Sequence, residues 1–519
     1  MMVKEINILW VDDEIDLLRP YILFLEEKGY NLVTAANGQD AIRIVERERF
    51  DLIFLDENMP GLSGLETLDR IKKVVPSVPV IMITKNEEED IMDEALGSKI
   101  SDYLIKPVNP KQILLTIKKN IDTRRLITAK TTSNYQMQFG QIGLQINTAA
   151  TFTDWTDIYS RLVFWERELE KSRIEGMDEI LQMQKQDANK EFCKFVKANY
   201  FEWFSDHAVQ KPLMSPNLFA RKIFPLLESH KVVVVLIDNL RFDQWKIIEE
   251  EIHDYFTAEK EELYCSILPT ATQYARNSIF AGLMPMEIDQ LYPEYWIQEE
   301  EAGSKNPFEK ELLQIQMQRA GIRSSLNYEK ISNQKSGKKI VENYKNLLNY
   351  DLSVLVYNFV DMLSHARTEM DMIKELAYDE ASYRSITTSW FQHSYLLELL
   401  KLLSGYNIKL VVTTDHGSVR VKNPVKVIGD RNTSANLRYK MGKNLNYNPK
   451  VVFEVQKPEL IHLPKSNVSS TYIFSYENDY MVYPNNYNYF VNYYRNTFQH
   501  GGVSLEEMLI PVIILLPNA

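Results

Sequence analysis

Seven side chains of the metal-ligand type stand in order along the C-terminal half of the chain: Asp238, Thr272, Asp361 with His365, the adjacent Asp415 and His416, and His500. Three aspartates, three histidines and one hydroxyl can fill two zinc-like sites. The threonine is then a candidate nucleophile between two cations. Asp361 and His365 are spaced i, i+4, so on a helix both face one way and can share an ion. Asp415-His416 leaves an apolar run directly, and His500-Gly-Gly has the makings of a flexible turn. Each piece alone also has an ordinary reading. Asp238 could be a cap or structural acid, and Thr270 or Thr272 could cap the helix that follows them. Arg276, four residues past Thr272 and on the same helix face, would either touch phosphate oxygens or pair with an acid. The other histidines, His207, His230, His253, His393 and His462, lack such settings and read as surface or packed residues.

A second constellation lies near the other end. Asp12-Asp13-Glu14, Leu55-Asp56, Thr84 and Lys106-Pro107 each follow or end an apolar run. Asp13 and Asp56, with a carbonyl from Asn58, would hold one Mg²⁺ in an oxygen-only site, with Asp12 placing it through water. The cation would neutralise Asp56, so that its carboxylate can attack a phosphoryl group. Thr84 and Lys106 would then pair with the new phosphate oxygens.

The elements needed to position these groups can be read from hydrophobic periodicity. Apolar runs at Ile6–Val11, Asn31–Ala35, Leu52–Leu55, Val78–Ile83 and Tyr103–Ile105 alternate with amphipathic stretches such as Ile15–Lys28. Five β/α repeats predict an open, doubly wound sheet whose strand ends gather the acids at one edge. Residues 123–205 lose the strand runs and show helical spacing (Trp155, Ile158, Tyr159, Leu162, Trp165, Leu169), with a Thr-rich stretch at Ala149–Thr156 suited to cap a helix. This predicts a helical-bundle connector rather than a flexible linker. From residue 206 the βα pattern returns, with strands expected at Val232–Ile237, Leu352–Tyr357 and Lys409–Thr414. Residues 420–495 break it and read as a β-rich insertion. There Arg431, Arg438, Lys440, Lys443 and Lys450 alternate with Tyr439 and Tyr447, either to hold phosphates and stack bases or simply as a solvated loop.

At 45% hydrophobic and 25% charged, the 519 residues read as globular. A net charge of −12 argues against general nucleic-acid binding. Two cysteines cannot build a disulfide framework, which fits a reducing cytoplasm. Met1–Trp10 does not read as a signal peptide, and no apolar run is long enough to span a bilayer. The protein is therefore expected to be cytoplasmic.

The N-terminal motifs resemble the receiver domain of bacterial response regulators over residues 1–122: acidic pair, acceptor Asp56, Met-Pro-Gly turn at 59–61, Thr84 and Lys-Pro. The resemblance implies phosphorylation of Asp56 by a sensor histidine kinase, with Tyr103 as a switch aromatic that turns inward when Thr84 moves. Lys85 departs from the small residue usual there. The order Asp, Thr, Asp-x-x-x-His, Asp-His, His resembles the alkaline phosphatase superfamily over residues 206–519. Thr-Gln-Tyr-Ala-Arg at 272–276 and His-Gly-Gly-Val-Ser-Leu-Glu-Glu-Met at 500–508 look like its PglZ branch.

That likeness implies two Zn²⁺ ions, one held by Asp361, His365 and His500, the other by Asp238, Asp415 and His416, with Thr272 as nucleophile and Arg276 as a possible substrate contact. It also implies cleavage of nucleotide or oligonucleotide phosphodiesters. Together the halves are similar to the PorX-type family of receiver–PglZ regulators, linked to type IX secretion in Bacteroidota, to a sigma factor and to secretion components. The expectation is an enzyme controlled by Asp phosphorylation through homodimerisation. The rival expectation is a non-catalytic, zinc-stabilised adaptor that signals by docking those partners. A sulfatase is disfavoured because no C/S-x-P-x-R context occurs. Direct DNA binding is not expected, since no helix-turn-helix follows the receiver.

Overall fold

Strands β1 (Ile6–Val11), β2 (Tyr30–Ala35), β3 (Leu52–Asp56), β4 (Val80–Thr84) and β5 (Asp102–Ile105) form one parallel sheet in the order β2-β1-β3-β4-β5. Every residue of β3 and β4 is buried, as expected of parallel strands covered on both faces. Leu9, Val11, Ile53 and Leu55 pack on one face with helices Gly38–Arg47 and Gly64–Val74. Trp10, Phe54 and Ile83 pack on the other with Ile113 and Ile117. Asn37 accepts from Asp40 N–H, and Ser63 with Glu66 forms a capping box, so both helices start where the sequence supplies a cap. The predicted helix at 15–28 opens instead as a 3₁₀ turn, Ile15–Leu18, before Arg19–Glu27. Pro20 in its first turn has no N–H to miss there.

The structure, a computed structural model, describes residues 6–76, 78–85, 100–172, 176–205, 211–299, 301, 303–369, 375–430, 433–465 and 469–518, with backbone only at 121–130 and 365–369. The chain divides into two compact units, Met1–Met137 and Gln138–Ala519. The boundary expected at 122/123 falls within one continuous helix, Pro110–Thr148.

In the second unit, helices Phe152–Ser172 and Met177–Asn199 bury Trp155, Tyr159, Leu162 and Phe192. The Thr-rich stretch does cap: Thr151 Oγ1 accepts from Asp154 N–H at 3.2 Å, and Asp154 accepts from Ala150 and Thr151 N–H in return. These helices belong to the same unit as the C-terminal sheet. Asn189 donates to Glu506 at 2.9 Å and accepts from Leu505 N–H at 2.7 Å, while Lys185 pairs with Glu166 at 2.9 Å. Arg384 bridges Glu166 and Asp243 at 3.2 and 2.9 Å, and Asp243 also holds Arg241.

The remaining strands are β6 (Lys231–Ile237), β7 (Phe256–Cys265), β8 (Leu326–Ile331), β9 (Leu352–Tyr357), β10 (Ile408–Thr413), β11 (Val419–Arg420), β12 (Asn423–Lys426), β13 (Tyr439–Gly442), β14 (Val452–Val455), β15 (Thr471–Ser475), β16 (Asp479–Val482), β17 (Phe498–Gln499) and β18 (Leu509–Pro517). The main sheet has the order β7-β18-β10-β6-β9-β8, with β18 antiparallel to both neighbours. It follows that β6, β7, β8, β9 and β10 all end at one edge, where β18 begins. β11 to β17 form three small sheets, β11-β17, β12-β16 and β13-β15-β14, as the broken pattern at 420–495 predicts.

Candidate metal centre and receiver site

That sheet edge explains how ligands so far apart in sequence meet. Asp238 follows β6, the Ser266–Thr272 turn follows β7, Asp361 lies just past β9, and Asp415-His416 follows β10. His500 is on the segment entering β18. Asp238, Asp415 and His416 are buried, and ligand atoms of all three lie within 4.8 Å of one another. His416 Nε2 is 3.7 Å from Asp238 Oδ1 and 3.6 Å from Asp415 Oδ2. The rings of His416 and His500 stack with centroids 4.2 Å apart, and His500 Nε2 is 3.6 Å from Asp361 Oδ1. His365 lies on the same helix as Asp361, Phe359–Glu369, but its side chain is outside the described residues.

Thr272 is the first residue of helix Thr272–Ala281, whose N-cap is Ala271 with no side-chain cap. The capping alternative for Thr270 and Thr272 is therefore removed. Thr270 Oγ1 instead donates to Gly502 O at 2.9 Å. Thr272 Oγ1 stands 3.1 Å from His416 Nε2 and 3.4 Å from Asp238 Oδ1, at a helix end that attracts anions.

The Asp238–Asp415–His416 set fits a divalent cation. His416 Nδ1 faces Gly417 O at 3.1 Å and His500 Nδ1 faces Thr270 O at 3.2 Å. Each Nδ1–H can donate to its carbonyl, leaving Nε2 as an acceptor turned toward the cluster. Burial pushes Asp238 well above the usual carboxylate range, Asp415 and Asp361 adding to the rise while Arg276 opposes it. Asp415, though equally buried, is held down to about 2 by Arg276 and His416. Clustered buried acids of this kind call for positive charge.

Arg276 is fully buried. Its guanidinium pairs with Asp238, with Asp415 at 2.9 Å and with Glu309 at 3.4 Å. Of its two sequence readings, the acid-pairing one holds. The possible substrate contact is corrected, because no part of this side chain reaches solvent.

In the N-terminal unit, Asp12, Asp13 and Asp56 likewise bring oxygens within 4.8 Å of one another. Lys106 Nζ lies 2.9 Å from both Asp12 and Asp56. Burial lifts Asp56 to about 6, Lys106 pulling against it and Asp12 adding to it. Thr84 donates to the Glu57 carboxylate. Tyr103 is 39% exposed, in an outward position. Asn58 is exposed beside Asp56, and Lys85 reaches Glu14 at 3.7 Å.

Three family profiles match the chain. The receiver domain of response regulators covers residues 8–118, and the PorX response regulator linker domain covers 125–204. The BREX system PglZ alkaline phosphatase-like domain covers 218–515, more than half of the chain. The chain belongs to the PglZ family. Its order of receiver, linker and PglZ domain is the PorX-type architecture.

Among curated proteins it is similar to the transcriptional regulatory protein ZraR of Klebsiella oxytoca, 36% identical over 140 residues, 27% of this chain and 32% of that protein. It is also similar to the alginate biosynthesis transcriptional regulatory protein AlgB of Pseudomonas aeruginosa, 34% identical over 123 residues, 24% of this chain and 27% of that one. The matches thus span less than a third of those relatives. Among solved structures, a CheY-like receiver from Methanospirillum hungatei is 31% identical, covering 23% of this chain and 96% of that one, with a TM-score of 0.23. The Mg²⁺-bound receiver of the histidine kinase PA1611 from Pseudomonas aeruginosa is 28% identical, covering 23% and 98%, with a TM-score of 0.22. A receiver domain implies a phosphodonor histidine kinase as partner. Among the described residues no helix is long and apolar enough to cross a membrane.

The PglZ domain also places residues that sequence reasoning passed over. Asn239, in the left-handed region at φ 62°, donates its N–H to Asp415 at 3.3 Å and its amide to Asp361 at 3.4 Å. An Asn following a strand-end Asp is the one hint of it, since Asn tolerates that conformation. Asn306 donates to Thr272 O at 3.0 Å with no signal in the sequence.

The basic–aromatic strip of the insertion is corrected. Arg438 is buried and pairs with Glu507 at 2.6 Å. Glu507 in turn accepts from Gly502 N–H at 2.9 Å, so this pair shapes the His500-Gly-Gly turn. A Cβ on Gly502 would meet Arg438 at 2.7 Å, which explains the glycine. Lys440 and Tyr439 are buried too, Tyr439 donating to Glu299 at 2.8 Å. Lys443 and Lys450 are exposed, and Arg431 lies outside the described residues, as does His207. His230 and His253 are at the surface and His462 pairs with Glu287 at 3.4 Å, all away from the centre.

Proposed function

We propose that this chain is a response regulator whose output is a two-zinc phosphodiesterase for nucleotide or oligonucleotide diesters. The observation that carries the reading is Thr272 Oγ1 at a helix N-terminus, 3.1 Å from His416 Nε2 and beside the Asp238–Asp415–His416 cluster. Asp361, His365 and His500 would hold one ion, and Asp238, Asp415 and His416 the other. When bound, the ions would neutralise the carboxylates, polarise the phosphoryl oxygens and favour the alkoxide of Thr272. Thr272 Oγ1 would attack phosphorus and expel one alcohol. Water would then release the phosphomonoester and restore the hydroxyl. Asn306 keeps the Thr272 backbone in place, and the helix N-terminus receives the anionic group.

In the receiver, Asp13, Asp56, the Asn58 carbonyl and, through water, Asp12 would hold Mg²⁺. Asp56 would take the phosphate, and Thr84, Lys106 and Tyr103 would respond to it. Phosphorylation would favour a homodimer, and the pathway served would be type IX secretion, with a sigma factor and secretion components as further partners.

One observation favours the adaptor reading. Arg276 already neutralises Asp238 and Asp415 from within the fold, so the cluster could be structural. The test is Thr272→Val. Purified parent should cleave bis(p-nitrophenyl) phosphate and a linear dinucleotide, and the variant should lose turnover by at least a hundredfold while keeping its metal content. A parent that binds zinc yet cleaves neither substrate would instead establish the adaptor.

A further inference from the structure

Helix Phe359–Glu369 carries Asp361 toward the metal centre, while Phe359 and Met362, on a different face, line a separate cavity of about 330 Å³. The floor of this cavity is Ile331 and Tyr357, directly paired residues at the ends of β8 and β9. Pockets for small ligands begin at ~300 Å³, and the carboxyl edge of a parallel sheet is where α/β folds place them. Phe359 and Trp390 stack in its wall, ring centroids 4.4 Å apart and planes within 3°. Tyr357 is 4% exposed, and its hydroxyl is buried without a hydrogen-bond partner. Such a group is rare unless something else completes it.

Two helices, Gln334–Glu342 and Tyr395–Leu403, begin at the same cavity. Their first turns lie side by side, since a Cβ on Gly337 would come within 3.2 Å of Tyr395 Cβ. Asn333 and Ser394 each cap one N–H, at Ser336 and Leu397. The other first-turn N–H groups have no acceptor within their helices. Lys335, Lys338 and Lys339 ring an adjoining depression at Asn333, where Lys338 faces Glu342 at 3.7 Å.

We propose that this cavity is a second ligand site, for a nucleoside monophosphate. A flat base would enter along the aromatic wall, with an acceptor on it completing the Tyr357 hydroxyl. The phosphate would sit at the paired helix N-termini beside the lysines. The ligand would touch Phe359 and Met362 on the helix that carries Asp361, so it would act as an effector of the metal centre. The binding claim does not rest on the proposed hydrolysis.

The test is calorimetric titration of AMP and GMP into the full-length chain, with adenosine and inorganic phosphate as partial ligands. Saturable binding of a monophosphate is expected, at least tenfold tighter than adenosine or phosphate alone. Ser332→Trp places an indole at the exposed rim and should abolish it. Tyr357→Phe removes one oxygen and should weaken it roughly 2- to 10-fold, the worth of one neutral hydrogen bond. Absence of binding at millimolar nucleotide, or affinity unchanged in both variants, would overturn the site. Adenosine binding as tightly as AMP would overturn the assignment of the helix N-termini to phosphate.

Discussion

Lys440 separates the two pictures of the insertion, one in which its basic residues face a ligand and one in which they are packed. In the structure Lys440 is 1% exposed, its Nζ donates to Ser434 O at 3.0 Å, and it stands 4.4 Å from the centre of the Tyr483 ring. Burial pushes its ammonium from 10.5 down to about 7, the pull of Glu299 offsetting little of this. For a base, a folded pKa below the unfolded one means that the native state holds fewer protons between the two values. Stability therefore rises with pH through that window and carries the full penalty below it. Lys440→Met keeps the length and removes the charge. Between pH 7 and 9 the native lysine loses its proton while the unfolded one keeps it. At 1.36 kcal/mol per unit, the parent should gain about 2 kcal/mol relative to the variant. Urea unfolding of both proteins at the two pH values measures this, because every other titrating group cancels in the difference. A gap between parent and variant that stays constant, or moves the other way, would show that Lys440 remains charged and that its burial is wrong.

Three further outcomes follow from named contacts. Arg276→Gln strips the shared cation from Asp238, Asp415 and Glu309, and should lower the stability of the PglZ domain by ~3–5 kcal/mol, read by urea unfolding. Asn189→Ala breaks two buried hydrogen bonds to Leu505 and Glu506 and should cost about 2–4 kcal/mol in the same transition, whereas a loosely attached linker would show no change. Asp56→Asn should abolish phosphate uptake from acetyl phosphate, measured by phosphate-affinity electrophoresis, while the parent is retarded on the gel. Uptake by the variant would mean that another residue accepts the phosphate.

How much was legible in the sequence depended on how local the physics is. Strands such as β6, β9 and β10 show as mostly apolar runs, broken by Ser353 in β9 and by Lys409 and Thr413 near the ends of β10, because both their faces are buried, and the site acids follow from the rule that parallel strands end together. The caps at Asn37, Ser63 and Thr151 involve residues within four positions of each other. What escaped is long-range pairing. Arg438 looks like any loop cation until Glu507, 69 residues away, is folded beside it. Arg276 had two even readings because its partners Asp238, Glu309 and Asp415 come from three separate stretches of chain. Asn306 and Asn239 act through long-range hydrogen bonds, to the Thr272 backbone and to Asp415 and Asp361, which leave no periodic trace. The helical connector was expected to stand between two domains. The two compact units divide it at 137/138, and its later helices are bonded to the C-terminal part through Asn189 with Glu506 and Glu166 with Arg384, which no periodicity argument could have revealed.

Asp238, Asp361, Asp415, His416 and His500 converge at one sheet edge, and the proposed enzyme requires them to cradle divalent ions. The most direct measurement is the metal content of purified protein by mass spectrometry, for the parent and for Asp238→Asn with His416→Ala. The parent should carry close to two transition-metal ions per chain and the double variant at least one fewer, both remaining folded. A parent free of transition metal, or a double variant that retains the same amount, would contradict the account.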